Sequence, residues 1–334
     1  MRGFTMKKRV LAIIMASAMV IGLSACGSSA ESGAAGGSAQ GESASGTYTV
    51  GICQALEHES LDAATEGFEA ALKDKLGDSV EIELQNAQGE SANNTTICNQ
   101  FVSANVDLIM ANATPALQAA SQATADIPVL GTSVTDYASA LGMSDFTGTT
   151  GTNVSGTSDL APIDEQENIF VELLPEAKKV GILYCSAEPN SIYQSDAFEA
   201  EAKADGIETV VYTAADSNEI QTVTTKAVQE CDALYIPTDN TFAAAIGTVK
   251  NIVQPAGIPV VTGWGDVDTG IAAVSISYYD LGYQTGLMAY EILANGENPG
   301  EMAVETADST TKTVNAALCE SLGITIPEGY EAAQ

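Results

Sequence analysis

The sequence predicts an α/β fold made of two similar halves, each with a doubly wound parallel sheet, and a cleft between them. From residue 47 onward, short runs rich in β-branched residues alternate with longer stretches whose apolar residues recur every three or four positions. This alternation is typical of βαβ crossovers in a sheet covered on both faces. The same rhythm begins again after a Gly/Ser/Thr-rich stretch at residues 147–158, which indicates a second half.

The first half begins with a β-branched run at 48–52. The apolar residues that follow, from Leu61 through Phe68 to Leu76, mark one face of a helix. Period-two alternation at 80–84 indicates a second strand, and the apolar run at 108–111 indicates a buried one. The complete prediction for this half is strands at 48–52, 80–84, 108–111 and 127–130, with helices at 61–76, 92–104 and 115–123.

The second half repeats this order after a junction near Thr157 to Ala161. Its predicted helices are 162–174, 193–204, 220–229 and 241–254, and its predicted strands are 179–184, 209–212, 233–236 and 258–261. Late in the chain we predict a strand at 273–276, a helix at 279–294 ended by Asn295-Gly296, and a strand at 302–305. These last elements are expected to return to the first half, so that several strands link the two.

The N-terminus resembles a bacterial lipoprotein signal. Lys7, Lys8 and Arg9 precede an almost entirely apolar run at 10–22, and Leu23-Ser24-Ala25 leads into Cys26. The apolar run is too short for a typical transmembrane helix. We expect cleavage before Cys26, a lipid such as palmitate on that cysteine, and a chain anchored to the outer face of the bacterial cell membrane. The alternative is an ordinary secretory signal in which Cys26 is incidental.

Residues 27–46 contain Gly, Ser, Ala, Glu and Gln but no apolar residue larger than alanine, which predicts a flexible tether. The remaining residues, 47–334, suffice for two domains. The expected organisation is a signal peptide at 1–25, the lipidated cysteine and tether at 26–46, a first lobe at 47–158 plus about 279–306, and a second lobe at 159–278 plus about 307–334.

The charge of the chain restricts its partners. Cleavage before Cys26 removes Arg2, Lys7, Lys8 and Arg9 but no acidic residue, so eight lysines remain with 44 acidic residues and the net charge is −36. Such a field repels nucleic acid, which we exclude as a partner. No arginine remains after cleavage, so a carboxylate ligand has to be bound by backbone N–H groups, hydroxyls or lysine.

The sequence predicts neither an enzyme nor a metal or cofactor site. Five cysteines remain beyond Cys26, an odd number without a CxxC pair, and His58 is the only histidine. No nucleophile elbow, phosphate-binding loop or dinucleotide fingerprint occurs. A hydrolase that uses His58 with Ser60 or Cys53 is a weak alternative, because no third residue orients the pair. Whether the five cysteines pair stays open at this point.

Candidate ligand-binding segments follow the predicted strands, because open parallel sheets bind ligands beyond the carboxyl ends of their strands. The segments are 54–58, 86–88, 112–114, 132–136, 186–191, 238–240 and 263–266. Thr114 before Pro115 has the form of an N-cap, and a helix N-terminus favours a carboxylate. A simple capping role is the alternative. Trp264, the only tryptophan, is expected either to stack on a ligand or to pack in a core.

Four motifs resemble those of the tryptophan/tyrosine-type ABC transporter substrate-binding proteins. They lie at residues 51–54 with 57–62, at 153–159, at 181–184 with 190–191, and at 235–240, and the resemblance extends from Thr47 to about Pro327. It implies a type I periplasmic-binding-protein fold with a small ligand enclosed between two lobes joined by three strands. It further implies a monomer that captures an aromatic amino acid (tryptophan, tyrosine or phenylalanine) by hinge closure and delivers it to a separate permease and ATPase.

The resemblance also implies roles for individual residues. The ligand carboxylate is expected near Thr114 and Ser133 and the ammonium near Asp239. Further contacts are expected from Gln54, Ser186, Asn190 and Ser191, and the cleft position adds Asn240 and Trp264. The sequence departs from its relatives at Ser277, where an acidic residue is common, and at residues 263–266. A sugar- or nucleoside-binding protein of the same fold, and a ligand sensor for a membrane receptor, are the alternatives.

Overall fold

The computed structural model describes residues 47–307 and 309–333, and the expected signal peptide, lipidated Cys26 and tether lie outside them. The strands are β1 Tyr48–Gln54, β2 Val80–Asn86, β3 Leu108–Asn112, β4 Val129–Val134, β5 Val154–Ser158, β6 Lys179–Cys185, β7 Glu208–Ala214, β8 Ala233–Ile236, β9 Val260–Thr262, β10 Ala272–Ser275, β11 Glu305–Thr306, β12 Thr311–Val314 and β13 Glu331–Ala332.

The helices lie between these strands. They are α1 Glu59–Leu76, α2 Ser91–Ala104, α3 Thr114–Ala123, α4 Tyr137–Leu141, α5 Ile163–Leu173, α6 Pro189–Ala204, α7 Ile220–Glu230, α8 Asn240–Ala244, α9 Ile246–Ala256, α10 Tyr278–Asn295 and α11 Ala316–Leu322. Within the described residues, no helix is both long enough and apolar enough to cross a membrane.

The strands form two separate sheets. The first has the order β11-β5-β4-β3-β1-β2, and the second has the order β13-β12-β10-β9-β8-β6-β7. All pairs are parallel except β10 with β12, which are antiparallel. The predicted α/β class with parallel sheets is thus confirmed, with this one antiparallel pair as the exception. We call the first sheet with α1–α4 and α10 the first lobe, and the second sheet with the remaining helices the second lobe.

Both sheets are buried on both faces. On β1, Val50 and Ile52 pack against Phe68 and Leu72 of α1, whereas Cys53 faces the opposite side with Phe101 of α2. The second sheet shows the same alternation, with Tyr235 stacked on Phe198 at 4.0 Å between ring centroids. Strands buried in this way need apolar residues at consecutive positions, which is why most of them could be predicted from apolar runs.

Strand β5 is the main element that the prediction missed. Residues 154–158 were expected to belong to a link, yet all five are buried, and β5 lies between β4 and β11 in the first sheet. Their small polar side chains form hydrogen bonds with neighbouring elements. Thr157 Oγ1 lies 2.8 Å from Thr285 Oγ1 of α10 and 3.2 Å from Thr132 Oγ1 of β4. Internal hydrogen bonds of this kind let Ser and Thr occupy a buried strand.

Three other predictions differ from the structure. The helix expected at 241–254 is divided at Ala245 into α8 and α9. The strand expected at 302–305 is reduced to β11, Glu305–Thr306, after a 3₁₀ turn at Pro299–Glu301. Helix α3 begins at Thr114 itself, and the capping position is occupied by Ala113. Helices α4 and α11 and strands β12 and β13 have no counterpart among the predicted elements.

Three segments of the chain connect the sheets. The first runs from β5 to α5, the second from β10 to α10, and the third from β11 to β12. Because α10 packs against α1 and β4, the second segment returns the chain to the first lobe, and the third leads it back to the second. This arrangement leaves the carboxyl ends of both parallel sheets next to the connecting segments.

Helices α1 and α10 approach each other closely because glycines occupy their contact. A Cβ atom on Gly282 would lie 1.9 Å from the carbonyl oxygen of Ala64, and one on Gly67 would lie 2.0 Å from that of Tyr279. No side chain can be added at either position without separating the two helices.

We expect Gly282→Ala to lower the free energy of unfolding by about 2 kcal/mol or more, because the added methyl group overpacks this helix contact. Gly247→Ala is the matched control, since a Cβ there meets nothing within 4 Å and the residue lies inside α9. The control should be neutral or up to about 1 kcal/mol more stable. Urea unfolding of both variants measures the difference, and equal stabilities would contradict the role assigned to Gly282.

Candidate functional site

A cleft of about 580 Å³ separates the carboxyl ends of the two sheets. From the first lobe it is lined by segments that follow β1, β2 and β3, including Ala55, Gly89 and Pro115. From the second lobe, segments after β6 and β8 contribute Glu188 and Asn240. A cleft of this size at the carboxyl ends of parallel strands is a typical small-molecule site.

A smaller cavity of about 10 Å³ lies beside the connecting segments. Its lining includes His58, Asp159, Thr238, Asp239, Asn240, Trp264 and Tyr278. Asn240 lines both spaces, so the two are neighbours. The small cavity has room for about one water molecule, so a ligand can enter this region only if the surrounding side chains or lobes move apart.

Asp159 lies at the centre of the connections between the lobes. It directly follows β5 and is 3 % exposed. Its Oδ1 atom accepts a hydrogen bond of 3.0 Å from Thr135 Oγ1, and its Oδ2 atom accepts one of 3.0 Å from the hydroxyl of Tyr278 at the start of α10. Burial raises the pKa of the Asp159 carboxyl to about 6, although both hydrogen bonds favour the ionised form.

His58 and Asn240 form a direct contact between the lobes. His58 Nε2 lies 3.4 Å from Asn240 Oδ1. Burial lowers the pKa of His58, so the ring is neutral near pH 7. The cysteine expected in the hydrolase alternative makes a different contact, since Cys53 Sγ donates to Asn94 Oδ1. This geometry contains no nucleophile–base pair of the kind that alternative requires.

The residues expected on the first lobe lie at the ends of its strands. Gln54 ends β1 and is fully engaged, because its amide bonds Leu56, Asp62 and Thr65. Thr114 begins α3, and Ser133 lies near the end of β4; both are buried. Gln54 therefore supports the loops after β1, while a ligand contact for Thr114 and Ser133 stays a prediction.

The ends of β3 and β4 carry backbone strain. Ala113 has a φ of 82° and Ser133 has a φ of 54°, values that residues other than glycine rarely adopt. The two positions are adjacent, because Asn112 pairs with Thr132 in the sheet. Asn112 Oδ1 and Ser133 Oγ are also buried without a hydrogen-bond partner among the described residues. Backbone strain and unsatisfied polar atoms at the carboxyl ends of neighbouring strands are typical of a ligand-binding site.

The expected residues after β6 have different surroundings. Ser186 is exposed, and its hydroxyl bonds the carbonyl oxygen of Ala214. The amide nitrogen of Asn190 bonds Glu188 and Thr238, and the hydroxyl of Ser191 bonds Asp239 at 2.8 Å. Asn190 and Ser191 are therefore part of a buried network inside the second lobe.

Asp239 caps helix α8. Its Oδ1 atom accepts from the backbone N–H of Phe242 at 2.8 Å, and its Oδ2 atom accepts from the backbone N–H of Cys185 at 2.7 Å and from Ser191. Burial and the neighbouring Glu188 carboxylate raise the pKa of Asp239. Three protein donors already occupy this carboxylate, so its expected contact with a ligand ammonium stays a prediction.

Trp264 lines the small cavity and also belongs to the core of the second lobe. It is 9 % exposed and packs in a cluster that includes Tyr278 and, from the first lobe, Ala64. The side chain therefore packs in the core, and because it also lines the cavity wall, its stacking on a ligand stays a prediction.

The arrangement is suited to binding rather than to catalysis. In the described part of the chain, no group of three or more His, Cys, Asp or Glu side chains could hold a metal ion. The five cysteines are buried free thiols. Sequence reasoning missed Asp159 and Tyr278 as site residues, although residues 153–159 include Asp159 in a motif and the segment after β5 leads between the lobes.

Comparisons with known proteins show the family to which the chain belongs. The model of the family described as ABC transporter substrate binding protein matches residues 49–332. A curated relative from Clostridioides difficile, named tyrosine-binding protein, is 36% identical over 321 residues, which cover 94% of this chain and 92% of that protein.

Two solved structures also resemble the chain. A domain from Streptococcus pneumoniae in complex with L-Trp is 32% identical, has a TM-score of 0.82, and matches over 86% of this chain and 100% of its own. A ligand-free, open substrate-binding protein from Clostridium difficile is 37% identical with a TM-score of 0.65, over 86% of this chain and 99% of its own. The likeness is greater to the ligand-bound protein despite its lower identity. In this structure α4 of the first lobe contacts α6 of the second, and His58 lies beside Asn240, so the two lobes are in a closed arrangement.

We expect Asp159→Asn to raise the stability of the ligand-free protein at about pH 8 by roughly 1–3 kcal/mol. The folded carboxyl has a pKa of about 6 and the reference value is 3.8, so the folded state binds the extra proton between these values. The stability of the unsubstituted protein therefore falls as the pH rises through that window, and the amide removes the loss.

Urea unfolding at several pH values measures this effect, and the difference between the two proteins should disappear near pH 4. The titratable side chains that face Asp159 are Tyr137 and Tyr278, and His58 and Asp239 line the same cavity. A variant that is less stable than the unsubstituted protein at every pH would contradict the expectation.

Proposed function

The chain belongs to the ABC transporter substrate-binding protein family, and on this basis we propose that it captures an aromatic α-amino acid and delivers it to an importer. The family is one of solute-binding proteins rather than enzymes. The observation that carries the choice of ligand is the similarity to a tyrosine-binding protein and to a structure with bound L-Trp.

The chemistry of the site supports this choice. An α-amino acid carries a carboxylate, an ammonium group and a side chain. The unpartnered hydroxyl of Ser133 with the N-terminus of α3 suits the carboxylate. The buried carboxyls suit the ammonium, and Trp264 and Tyr278 suit an aromatic ring. No lysine or arginine lines the cleft or the small cavity in the described residues.

The proposed mechanism is closure of the two lobes on the ligand. A ligand that contacts both lobes stabilises the closed state through its differential affinity for it. His58 and Asn240 already meet across the cleft in the closed arrangement. A permease and an ATPase are the proposed recipients of the loaded protein.

We further propose that the protein is a lipoprotein on the outer face of the cell membrane. The support is the basic, apolar and small-residue order that precedes Cys26. A lipid at Cys26, followed by residues 27–46 as a tether, leaves the lobes free to meet the permease.

Fluorescence of Trp264, the only tryptophan, tests ligand binding. We expect L-tyrosine and L-phenylalanine to change its emission with saturation, because the indole lines the cavity that a ligand alters. Thermal unfolding with L-tryptophan completes the set, and a ligand at about 100 times its Kd should add roughly 2.7 kcal/mol. Glucose and adenosine are the controls; a response to these and to no amino acid would replace the proposed ligand by a sugar or nucleoside.

Labelling of cells with an alkyne analogue of palmitate tests the anchor. We expect label on the full chain and none on Cys26→Ala, which should appear in the soluble fraction. Cys53→Ala is the matched control, since that thiol lies in the folded core and its variant should keep the label. An unlabelled chain that is cleaved and released in both forms would indicate an ordinary secretory signal.

Co-purification with membrane partners separates transport from sensing. A permease and an ATPase that bind the loaded protein support import, whereas a membrane receptor that binds it supports the sensor alternative. The residues of the ligand site are the same in both cases.

A further inference from the structure

Three buried carboxyl groups line the space between the lobes, and their hydrogen-bond partners differ. They are Asp159, Glu188 and Asp239, each at most 5 % exposed. A buried carboxylate needs donors or a cation to offset its lost hydration. The supply of donors therefore shows which of the three is best able to receive a cationic group from a ligand.

Glu188 is saturated by protein donors. Its two oxygens accept from the backbone N–H groups and the side chains of Asn240 and Thr241, at distances between 2.7 and 3.0 Å, and from the amide of Asn190 at 3.1 Å. Five donors exceed the roughly four acceptor sites of a carboxylate. Glu188 therefore holds α8 in place and has no capacity for a ligand.

Asp239 is also engaged, by two backbone N–H groups and the Ser191 hydroxyl. All three donors come from its own lobe. Two of them are backbone N–H groups, and displacing either by a ligand would leave that N–H without an acceptor, which is costly in a buried site.

Asp159 has the fewest donors from other residues. Apart from its own backbone N–H, its donors among the described residues are the hydroxyls of Thr135 and Tyr278, one to each oxygen. Both hydroxyls are neutral, and no Lys or Arg lines the cavity in the described chain. Its carboxylate is thus left with open acceptor capacity at the cavity wall.

The groups suited to a ligand carboxylate, Ser133 and the N-terminus of α3, lie at the carboxyl ends of neighbouring strands of the same sheet. β3, β4 and β5 are adjacent, and Asp159 N–H bonds the carbonyl oxygen of Val134, next to Ser133. Two strand spacings place the end of β3 about 10 Å from the end of β5. This spacing is on the scale of one α-amino acid with a hydrogen bond at each end.

We propose that Asp159 binds the ammonium group of the ligand, while Ser133 and the N-terminus of α3 bind its carboxylate, so that the site selects a free α-amino acid. This proposal rests on the proposed function and replaces Asp239 as the ammonium partner. It also links the ligand to closure, because Asp159 lies in the first connecting segment and its partner Tyr278 begins the helix after the second.

The test uses L-tyrosine and two analogues that each lack one charged group. The analogue 3-(4-hydroxyphenyl)propionate has no amino group, and tyramine has no carboxylate. In the unsubstituted protein, L-tyrosine should bind at least 100-fold more tightly than either analogue, because each missing group leaves a buried partner uncompensated.

Asp159→Asn should weaken the binding of L-tyrosine at least 30-fold, whereas the analogue without the amino group should bind as tightly as before or more tightly. The ratio of the two affinities then falls to about 3-fold or less. Ser133→Ala should instead reduce the ratio between L-tyrosine and tyramine. Glu167→Gln is the matched control, since Glu167 is a buried carboxyl in α5 that lines neither space, and it should leave both ratios unchanged.

The proposal is overturned if Asp159→Asn keeps the full ratio between the affinities for L-tyrosine and for the analogue without the amino group. It is also overturned if Asp239→Asn loses this ratio while Asp159→Asn keeps it. In both cases the proposed function survives, because the unsubstituted protein still binds L-tyrosine. An unsubstituted protein that binds glucose or adenosine but no amino acid overturns both. If Asp159→Asn fails to fold, the unsubstituted protein provides the answer: lowering the pH from about 7.5 to about 5 should weaken L-tyrosine but not the analogue without the amino group.

Discussion

The buried carboxylate of Asp159 is the constraint on which the arrangement of the lobes depends. It sits where the chain leaves the first sheet, and it is bonded by Thr135 from the first lobe and by Tyr278 from the helix that brings the chain back. A buried carboxylate with only hydroxyl partners is unfavourable for stability. A protein that retains one at the junction of its lobes gains a group that responds to the charge of whatever enters the cleft.

The remaining structure holds this junction in place. Gly67 and Gly282 let α1 and α10 touch through their backbones, and Gly282 is four residues beyond Tyr278. The hydroxyl pair of Thr157 and Thr285 then ties α10 to β5, the strand that ends next to Asp159. Close helix packing and a polar strand thus position the two hydrogen-bond partners of one carboxyl group.

Charge also explains how the site is built. The described residues contain no arginine, so a carboxylate in the cleft has to be bound without a guanidinium. At the carboxyl ends of β3 and β4, the strained backbone at Ala113 and Ser133 leads into a helix N-terminus and holds a hydroxyl that has no partner among the described residues. Glu188 and Asp239 are held by their own lobe, so the acidic composition of the cleft does not leave every carboxylate available.

The sequence by itself determined the α/β class, the two halves and the segments at which a site can form, because apolar periodicity reports burial of strands and helices directly. It did not determine β5, since Ser, Gly and Thr form a buried strand only when neighbouring elements supply hydrogen bonds. It did not separate Asp159 from Asp239 either. Both are acidic residues after a strand, and only the tertiary structure decided which donors from other residues reach each of them. Asp239 receives two backbone N–H groups and a hydroxyl, and Asp159 receives two hydroxyls.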